Sequence, residues 1–283
     1  IALQKMRQRH IWLIGLICTC CLPLMGQKKM VYGNVQEVGQ AKALYYYSLT
    51  DNELSRERYM LMVLQKGTEV SRFGAVSAYL RDSLALALGG KPYDTRFLGR
   101  ESAKIGRRPD ANGDPGWILI VGYPDGSRTI TDRILIDYYL TEEKDTKPIW
   151  KLGSQQKTIS GYKCMQASTL LFGRQWTVWY TMDIDESAGP WLLYGLPGVV
   201  VDAKSDDGDF RFELSKIEHR PTPILLSKHM YNKVSRERFL EQKQKYYGNT
   251  KSYVKGTSYG HEVSDLPNSS PKKYNPLRKS GHR

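Results

Sequence analysis

The chain of 283 residues carries 42 lysine and arginine residues against 29 aspartate and glutamate residues, a formal net charge of +13 at pH 7. Charged residues make up 25% of the chain and hydrophobic residues 40%, a balance that excludes a disordered chain and a multispanning membrane protein. The 19 tyrosine and 6 tryptophan residues favour β-structure, where amphipathic aromatic side chains lie on half-buried faces.

The positive charge is concentrated at the two ends of the chain. Residues 1–27 contain three basic side chains and no acidic one, a charge of +3. Residues 228–283 contain 13 basic and 4 acidic side chains, a charge of +9, which leaves only +1 for residues 28–227. The body of the protein is therefore nearly neutral, and its partners cannot be inferred from the overall charge.

Residues 1–27 have the pattern of a secretory signal peptide. A basic stretch at 5–10 precedes an apolar run at 11–24, which is shorter than the roughly 20 residues that span a bilayer. Gly26 supplies a small residue at the expected cleavage point. Two alternatives stay open: an N-terminal anchor that is never cleaved, and a lipoprotein whose lipid-attachment sequence is an imperfect one.

Cysteine usage points to the compartment. Three of the four cysteines lie in the predicted signal peptide, so cleavage would leave Cys164 alone. An exported chain without an internal disulfide is typical of a bacterial envelope, in the periplasm or at the outer membrane, and not of an animal secreted module. An envelope protein rarely meets nucleic acid, and we expect no nucleic-acid partner.

The first part of the body is predicted to contain strands and one helix. Aromatic and β-branched patches predict strands within 31–50 and over 56–67. Apolar residues from Phe73 to Leu88 recur at steps of three and four, which predicts an amphipathic helix over 71–88 that stops at two glycines.

The rest of the body is predicted to be a loop followed by strands. Residues 91–116 are basic and rich in Gly and Pro, as in a loop. The predicted strands that follow cover residues 117–122, 129–140, 149–152, 158–167, 175–181, 198–202 and 210–214. This order predicts a mainly β, α+β domain over residues 28–227, a curved antiparallel sheet with one amphipathic helix packed on it.

Two strand regions carry additional information. In the strand at 175–181, Trp176 and Tyr180 share one face and Trp179 lies on the other, which predicts that both faces are covered. The acidic sequence at 206–209 predicts a hairpin turn, because its Asp-Gly pair suits positive φ angles. A calcium loop is the alternative, although the spacing of these aspartates is unusual for one.

A glycine- and proline-rich segment at 189–200 predicts a tight backbone corner that re-enters the sheet. The segment resembles the GLPGLI family, exported proteins of Bacteroidota that are named for this sequence. Further residues that resemble the family pattern follow in order over most of the chain, at 71–73, 82–83, 150, 159–164, 167–169, 172–174, 179–181 and 274–276. Val199-Val200 in place of Leu-Ile, and the basic end at 277–283, depart from that pattern.

The resemblance implies an exported protein, and the family has no established biochemical activity to carry over. We expect the motif residues to have a structural role. They are Cys164, Gly173, Arg174, Trp179, Gly189, Pro190, Trp191, Gly195, Leu196, Pro197 and Gly198.

The chain has no His-Glu-x-x-His and no Gly-x-Gly-x-x-Gly before a helix. A Gly-x-Ser-x-Gly occurs at 256–260, but it lies in the polar C-terminal segment and not between a predicted strand and a predicted helix, where a nucleophile of this type is found. We therefore predict no catalytic residue, no cofactor and no metal site. His219 is interpreted as a surface residue, and Asp82 with Arg174 as a buried ion pair that joins helix and sheet. A dyad of Cys164 and His219 would lack a third, orienting group.

The sequence thus favours a non-enzymatic binding or interaction protein, and an envelope hydrolase of unknown substrate is the alternative function. An apolar ligand would be lined by aromatic residues, among which Trp176, Tyr180 and Tyr194 are candidates with Trp179 and Trp191. The alternative is that these side chains form the core. A third hypothesis is docking to an outer-membrane protein through a sheet edge or the tail.

Residues 228–283 are predicted to form a basic, partly flexible C-terminal segment. The pattern at 235–247 predicts a short helix with Phe239 and Leu240 as apolar contacts, and the chain beyond Gly248 is polar. Anionic lipid head groups, lipopolysaccharide phosphates or an acidic protein are the candidate partners of this charge. Simple solvation of the segment is the alternative.

Overall fold

The computed structural model describes residues 34–53, 57–89, 95–108, 113–257 and 274–279. The helices in these ranges are α1 (Val76–Ala87), α2 (Thr95–Gly106), α3 (Arg236–Gly248) and α4 (Thr250–Lys255). The strands are β1 (Val35–Asp51), β2 (Arg58–Gly67), β3 (Ser71–Ala75), β4 (Ile118–Val121), β5 (Arg128–Ile134), β6 (Asp137–Glu143), β7 (Lys151–Ile159), β8 (Tyr162–Leu171), β9 (Arg174–Thr181), β10 (Val199–Ser205), β11 (Phe210–Glu218), β12 (Thr222–Ser227) and β13 (Tyr231–Lys233).

All of these strands belong to one large, open sheet, which confirms the predicted mainly β, α+β class. The order is β13-β6-β5-β4-β3-β2-β1-β11-β10-β9-β8-β7, and β12 pairs with the beginning of β1. Neighbouring strands are antiparallel except β13 and β6, which are parallel. No helix in the described ranges is long and apolar enough to cross a membrane.

The sheet curves around an apolar core on one side, called here the inner face. Alternate residues of β1, including Tyr45, Tyr47 and Leu49, are buried in this core. The ring centroids of Phe73 on β3 and Phe212 on β11 lie 5.8 Å apart, although β2 and β1 lie between the two strands in the sheet. Because neighbouring strands are about 4.8 Å apart, a flat sheet would separate β3 and β11 by about 14 Å. The contact therefore requires strong curvature.

Helix α1 lies on the opposite, outer face, where Val76 packs with Leu44 of β1 and Val63 of β2. The predicted helix over 71–88 is wrong in its first turn, because residues 71–75 pair with β2 and β4 as strand β3. Phe73 matched the helical spacing but belongs to the sheet. The predicted end is confirmed, since the backbone turns at Gly89 with φ of +59°.

The predicted ion pair between Asp82 and Arg174 is also wrong. The Asp82 carboxylate accepts hydrogen bonds from Arg72 Nη2 at 2.6 Å and from the Ser227 hydroxyl at 2.5 Å. Both partners are close in the fold because Arg72 lies on β3, directly before the helix, and Ser227 ends β12. Helix and sheet are joined by an ion pair as expected, but with another arginine.

Three other predictions need correction. The loop at 91–116 contains α2, whose Ile105 packs, like Tyr79 and Leu80 of α1, against the outer-face cluster of Leu44, Val63 and Val76. The strand at 129–140 is the hairpin of β5 and β6, whose two-residue turn, Leu135-Ile136, has no glycine or asparagine to mark it. The strand at 158–167 is divided into β7 and β8 by a turn at residues 160–161, where both φ angles are positive.

The predicted strand at 149–152 only overlaps the start of β7, but other predicted strands agree with the structure. The patches within 31–50 join into β1, β2 lies within 56–67, and β10 and β11 form the predicted antiparallel pair around the acidic turn. The predicted signal peptide at 1–27 lies outside the described residues.

The C-terminal part packs against the edge formed by β5 and β6. Helix α3 begins after Ser235, whose hydroxyl accepts from the Arg238 N–H at 3.3 Å. Phe239 and Leu240 are buried against Ile134, which confirms the two predicted apolar contacts. Residues 274–279, called here the terminal strap, also lie on the sheet, with Leu277 in the main core.

Candidate ligand cavity

A cavity of about 430 Å³ lies between the inner face of β2–β4 and residues 187–198, called here the corner segment. Its floor consists of two rows of side chains that run across the three strands. The strand register places Leu64, Phe73 and Leu119 side by side in one row, and Lys66, Ser71 and Val121 in the next. Every second residue of a strand lies on the same face, so both rows belong to the inner face. The first row is apolar and continues the core, and the second row is partly polar.

The corner segment forms the opposite wall, and its shape depends on glycine. A Cβ atom at Gly189 would lie 1.8 Å from the Leu193 carbonyl oxygen, and one at Gly198 would lie 2.1 Å from that of Thr181. No side chain fits at such distances. The segment is closed by a turn in which the Leu193 N–H donates to the Pro190 carbonyl at 2.9 Å.

The rest of the corner segment alternates between buried and exposed residues. Leu196 is buried in the core, and its carbonyl accepts from the Ser187 hydroxyl at 2.7 Å. Gly195 has φ of +92° and faces the cavity, while Pro197 is exposed.

Trp191 links the corner segment to the core. It has φ of +50°, an unfavourable conformation for a bulky residue. Its ring lies 5.7 Å from that of Trp176 and 6.1 Å from that of Phe172, measured between centroids. The buried indole offsets the backbone strain, because burying a large aromatic side chain contributes several kcal/mol, about 3–5 by truncation to alanine.

The predicted ligand-lining residues fall into two groups. Trp191 and Tyr194 line the cavity. Trp176 and Tyr180 lie in the packed core, where the Trp176 ring stacks on Phe212 at 6.0 Å. The structure therefore places Trp176 and Tyr180 where the core interpretation expected them.

Tyr194 is held at the rim from both ends. Its backbone carbonyl accepts from Trp150 Nε1 at 3.0 Å, and its hydroxyl donates to the Asp145 carboxylate. Burial, and next the hydrogen bond to Asp145, raise the pKa of Tyr194 well above its usual range. The phenol thus stays neutral and acts as a donor that engages Asp145.

Arg174 connects two parts of the family-like pattern that are distant in sequence. The turn before it has positive φ angles at Phe172 and Gly173 and places Arg174 at the start of β9. Its buried guanidinium donates to the Pro276 carbonyl of the terminal strap at 2.9 Å and also to the Asn275 side chain.

The acidic turn at 206–209 supplies the counter-charge of Arg174. Asp207 forms an ion pair with its guanidinium, and Asp209 lies 3.3 Å from it. The nearby Asp202 binds Arg211 at 3.0 Å. Within the described ranges, no group of three or more His, Cys, Asp and Glu side chains could hold a metal ion. His219 is exposed.

Cys164 and Trp179 lie away from the cavity, on β8 and β9. Cys164 is buried, and burial raises the pKa of its thiol. Trp179 is half-buried, and the Lys157 ammonium lies 4.1 Å from its ring centroid. The prediction that both faces of this strand are covered needs correction, because polar side chains rather than a second layer lie over the outer face.

Many basic residues of the C-terminal part are paired with acids. The buried Lys243 ammonium lies 3.0 Å from Asp132 and 4.0 Å from Glu53. Arg278 is also buried and binds Glu143 at 2.6 Å. Arg236, Lys233 and Lys279 lie within 4.0 Å of Asp132, Glu142 and Asp207 respectively. Part of the charge of +9 at residues 228–283 therefore neutralises acidic side chains of the sheet.

Sequence reasoning missed the cavity floor. Leu64, Phe73 and Leu119 come from three strands, and only the register brings them together. The sequence of β2 does not mark this face by alternation, because every residue from Met60 to Leu64 is apolar.

No family model matches the chain, and no curated protein matches it. Among solved structures, the chain is similar to PNGF-II in two crystal forms, each with 12% sequence identity and a TM-score of 0.42. Each match covers 72% of this chain and 32% of the PNGF-II chain, so the chain spans about a third of the length of that protein. A likeness at this TM-score carries no argument about function.

Proposed function

We propose that the chain is a non-enzymatic binding protein of the bacterial cell envelope that holds an apolar ligand in the cavity between β2–β4 and the corner segment. The observation that carries the proposal is the cavity itself, which has an apolar floor and a polar rim. Its volume of about 430 Å³ falls within the roughly 300–1,000 Å³ that is usual for small-molecule sites. The envelope location rests on the signal-peptide pattern and on the resemblance to the GLPGLI family.

A second candidate function is docking to an outer-membrane protein through the sheet edge. It is favoured by β7, where eight of nine residues are exposed and no described strand lies on its outer side. Two features of β7 oppose strand addition: the lysines Lys151 and Lys157, and an irregular register between Leu152 and Gln156. Lysines and bulges are the features that protect edge strands from pairing. The cavity is therefore the better-supported site.

The hydrolase alternative would need an activated nucleophile. Cys164 does not have the environment of one, because burial raises the pKa of its thiol and so disfavours the reactive thiolate. Its sulfur is directed at the Tyr162 carbonyl of the same strand, at 3.5 Å.

Binding to the cavity can be tested with N-phenylnaphthylamine, a neutral apolar fluorophore, titrated into the purified full chain. We expect saturable binding that Ser71→Phe weakens by about tenfold or more, because the phenyl group would occupy the cavity floor. The matched control is Ser168→Phe, since Ser168 is a half-buried serine of β8 outside the cavity. Far-UV circular dichroism verifies that both variants are folded.

Two results would contradict the proposal: no binding by the unsubstituted chain, or equal binding by the two phenylalanine variants. Native mass spectrometry of the chain purified gently from its own envelope provides the complementary measurement. It should detect a bound apolar molecule that is lost in Ser71→Phe and kept in Ser168→Phe.

A further inference from the structure

We propose that the ligand of the cavity is an acidic amphiphile, whose apolar chain lies on the floor and whose carboxylate or phosphate head group is bound by Lys66 and Lys147. The inference rests on the proposed function and adds to it the chemical class of the ligand. It follows from the placement of the two lysines and from the state of each charge around the cavity.

Lys66 is directed into the cavity by strand periodicity. Met60, Met62 and Leu64 occupy alternate positions of β2 and are buried on the inner face. Lys66 is the next residue on that face, opposite Ser71 of β3. It is half-buried and lines the cavity at the edge of the apolar floor. Its ammonium thus stands where the head group of a molecule lying on the floor would be.

Lys147 reaches the same cavity from the opposite wall. A Cβ atom at Gly195 would lie 3.9 Å from Lys147 Cδ, so the aliphatic part of the lysine passes over the corner segment. Lys147 is itself exposed at the rim. Long lysine side chains commonly cover apolar surface while the ammonium stays at the water boundary.

The cavity also contains two acids, Glu69 and Asp145, so its lining has no net charge. The four charges differ in their surroundings. Asp145 already accepts a hydrogen bond from the Tyr194 hydroxyl, and Glu69 is exposed to water. Neither lysine has a carboxylate within 4.0 Å among the residues that the structure describes.

Lys66 is therefore a cation next to the apolar floor that has no carboxylate partner among the described residues. Its ammonium can form charge-assisted hydrogen bonds with a carboxylate or phosphate. An apolar floor that ends at such an ammonium favours a molecule with an apolar chain and an acidic head.

The test is displacement of N-phenylnaphthylamine from the full chain by dodecanoate, dodecyl phosphate and dodecanol, which share one apolar chain. We expect both acids to bind about tenfold or more tightly than the alcohol, which corresponds to one charge-assisted contact. The ratio between the two acids shows whether a carboxylate or a phosphate is preferred.

Variants assign the preference to the lysines. Lys66→Met and Lys147→Met should each reduce the advantage of the acids over dodecanol, and Lys66→Arg should keep most of it. Glu69→Gln should strengthen binding of the acids about two- to threefold, because it removes a repulsive charge. The matched control is Lys163→Met, an exposed lysine of β8 that does not line the cavity.

The outcomes separate the two proposals. If dodecanol binds as tightly as the acids, or if the acids keep their advantage in both lysine-to-methionine variants, the head-group inference is overturned and apolar binding stands. If none of the three compounds displaces the probe, the cavity does not bind amphiphiles. Should Lys66→Met fail to fold, Lys147→Met and Glu69→Gln still decide the outcome, since both positions are exposed.

Discussion

The guanidinium of Arg174 donates to the backbone carbonyl of Pro276 from Nη2 at 2.9 Å and from Nε at 3.2 Å, across 102 residues of sequence. Asn275 completes the contact, because its Nδ2 donates to Asp209 at 2.8 Å. Leu277, which follows Pro276, lies in the main core. Arg174 thus helps to fix the terminal strap on the sheet, together with the ion pair between Arg278 of the strap and Glu143.

Arg174→Lys should release the strap. Arg174 binds four acceptors from three nitrogens, namely the Pro276 carbonyl, the Asn275 side chain and the carboxylates of Asp207 and Asp209. A lysine has three donors on one nitrogen and cannot reach all four, so the substitution should cost about 2–4 kcal/mol of unfolding free energy. Urea unfolding measures the loss, and limited proteolysis should show earlier cleavage near residue 274. The control is Arg211→Lys, whose partly exposed ion pairs with Asp202 and Glu213 should contribute about 1 kcal/mol or less. Equal losses would refute the role of Arg174.

Acid should weaken the same contact. Burial alone would raise the pKa of Asp207, but hydrogen bonds from the Ser205 hydroxyl and the Asp209 N–H, together with the charge of Arg174, lower it below the ordinary 3.8. Because the pKa of Asp207 is lower in the folded than in the unfolded state, its charge stabilises the fold at pH values above the unfolded pKa. This stabilisation is lost as the pH falls from the unfolded pKa through the folded one. Asp207→Asn should therefore flatten the acid limb of stability against pH, by about 1 kcal/mol or less because the side chain is one-third exposed. An unchanged acid limb in the variant would contradict this.

Asp82 should be among the most sensitive positions of α1. Its carboxylate is bound by Arg72, which is fully buried, and by Ser227. Asp82→Ala would leave the arginine charge buried and unpaired, at a cost of about 3 kcal/mol or more in urea unfolding. The double variant Arg72→Met with Asp82→Leu should recover much of that loss, because no charge is left unpaired. A double variant less stable than Asp82→Ala would show that the contact is more than charge compensation.

Sequence patterns predicted the elements that carry their own local signal. The Asp-Gly turn between β10 and β11 and the helix α3 with its apolar residues Phe239 and Leu240 are examples, because turn chemistry and helical spacing act over a few residues. The helix start was misplaced for the same reason: Phe73 satisfies a helical spacing locally, but pairing with β2 and β4 decides its structure.

The cavity and the partners of Arg174 depend on long-range pairing. Ser71 pairs with Lys66 of β2 and with Val121 of β4, and the chain between these two partners includes both α1 and α2. Asp82 and Arg174 are buried, as expected. The partner of Asp82 is Arg72, which the strand register places beside it, and Arg174 binds Pro276 of the terminal strap. Composition and spacing along one segment contain no information about such contacts.

Substitution of Gly189 or Gly198 in the corner segment should destabilise the fold and weaken binding. Gly189→Ala and Gly198→Ala each force a Cβ against a backbone carbonyl, at 1.8 and 2.1 Å, so the segment must move away from the sheet. We expect losses of about 2–4 kcal/mol in urea unfolding and weaker binding of N-phenylnaphthylamine. Gly248→Ala is the control, because a Cβ there meets no atom within 4 Å, so the substitution should lower neither the stability nor the binding. Stable, fully binding Gly189→Ala would disprove the proposed geometry of the wall.

The basic C-terminal part can be divided into structural and accessible charges. Lys243 is buried against Asp132, and the charge of Asp132 raises the pKa of Lys243 despite the opposing effect of burial. Lys243→Met should therefore lower the unfolding free energy by about 3 kcal/mol, because buried Asp132 loses its nearest cation and keeps the more distant Arg236 at 3.7 Å. Lys245 and Lys255, which are exposed, should have no such effect when changed to glutamate.

If the segment contacts anionic lipid, retention on phosphatidylglycerol vesicles should depend on the exposed lysines and not on Lys243. Lys245→Glu with Lys255→Glu should reduce retention at low salt, because surface lysines each contribute about 1 kcal/mol near an anionic membrane. Folded Lys243→Met should be retained like the unsubstituted chain, since its ammonium is not available to the lipid. Retention that is insensitive to the double glutamate change would show that the exposed lysines are simply solvated. Loss of retention in Lys243→Met alone would instead indicate that the fold of this part, and not its charge, forms the contact.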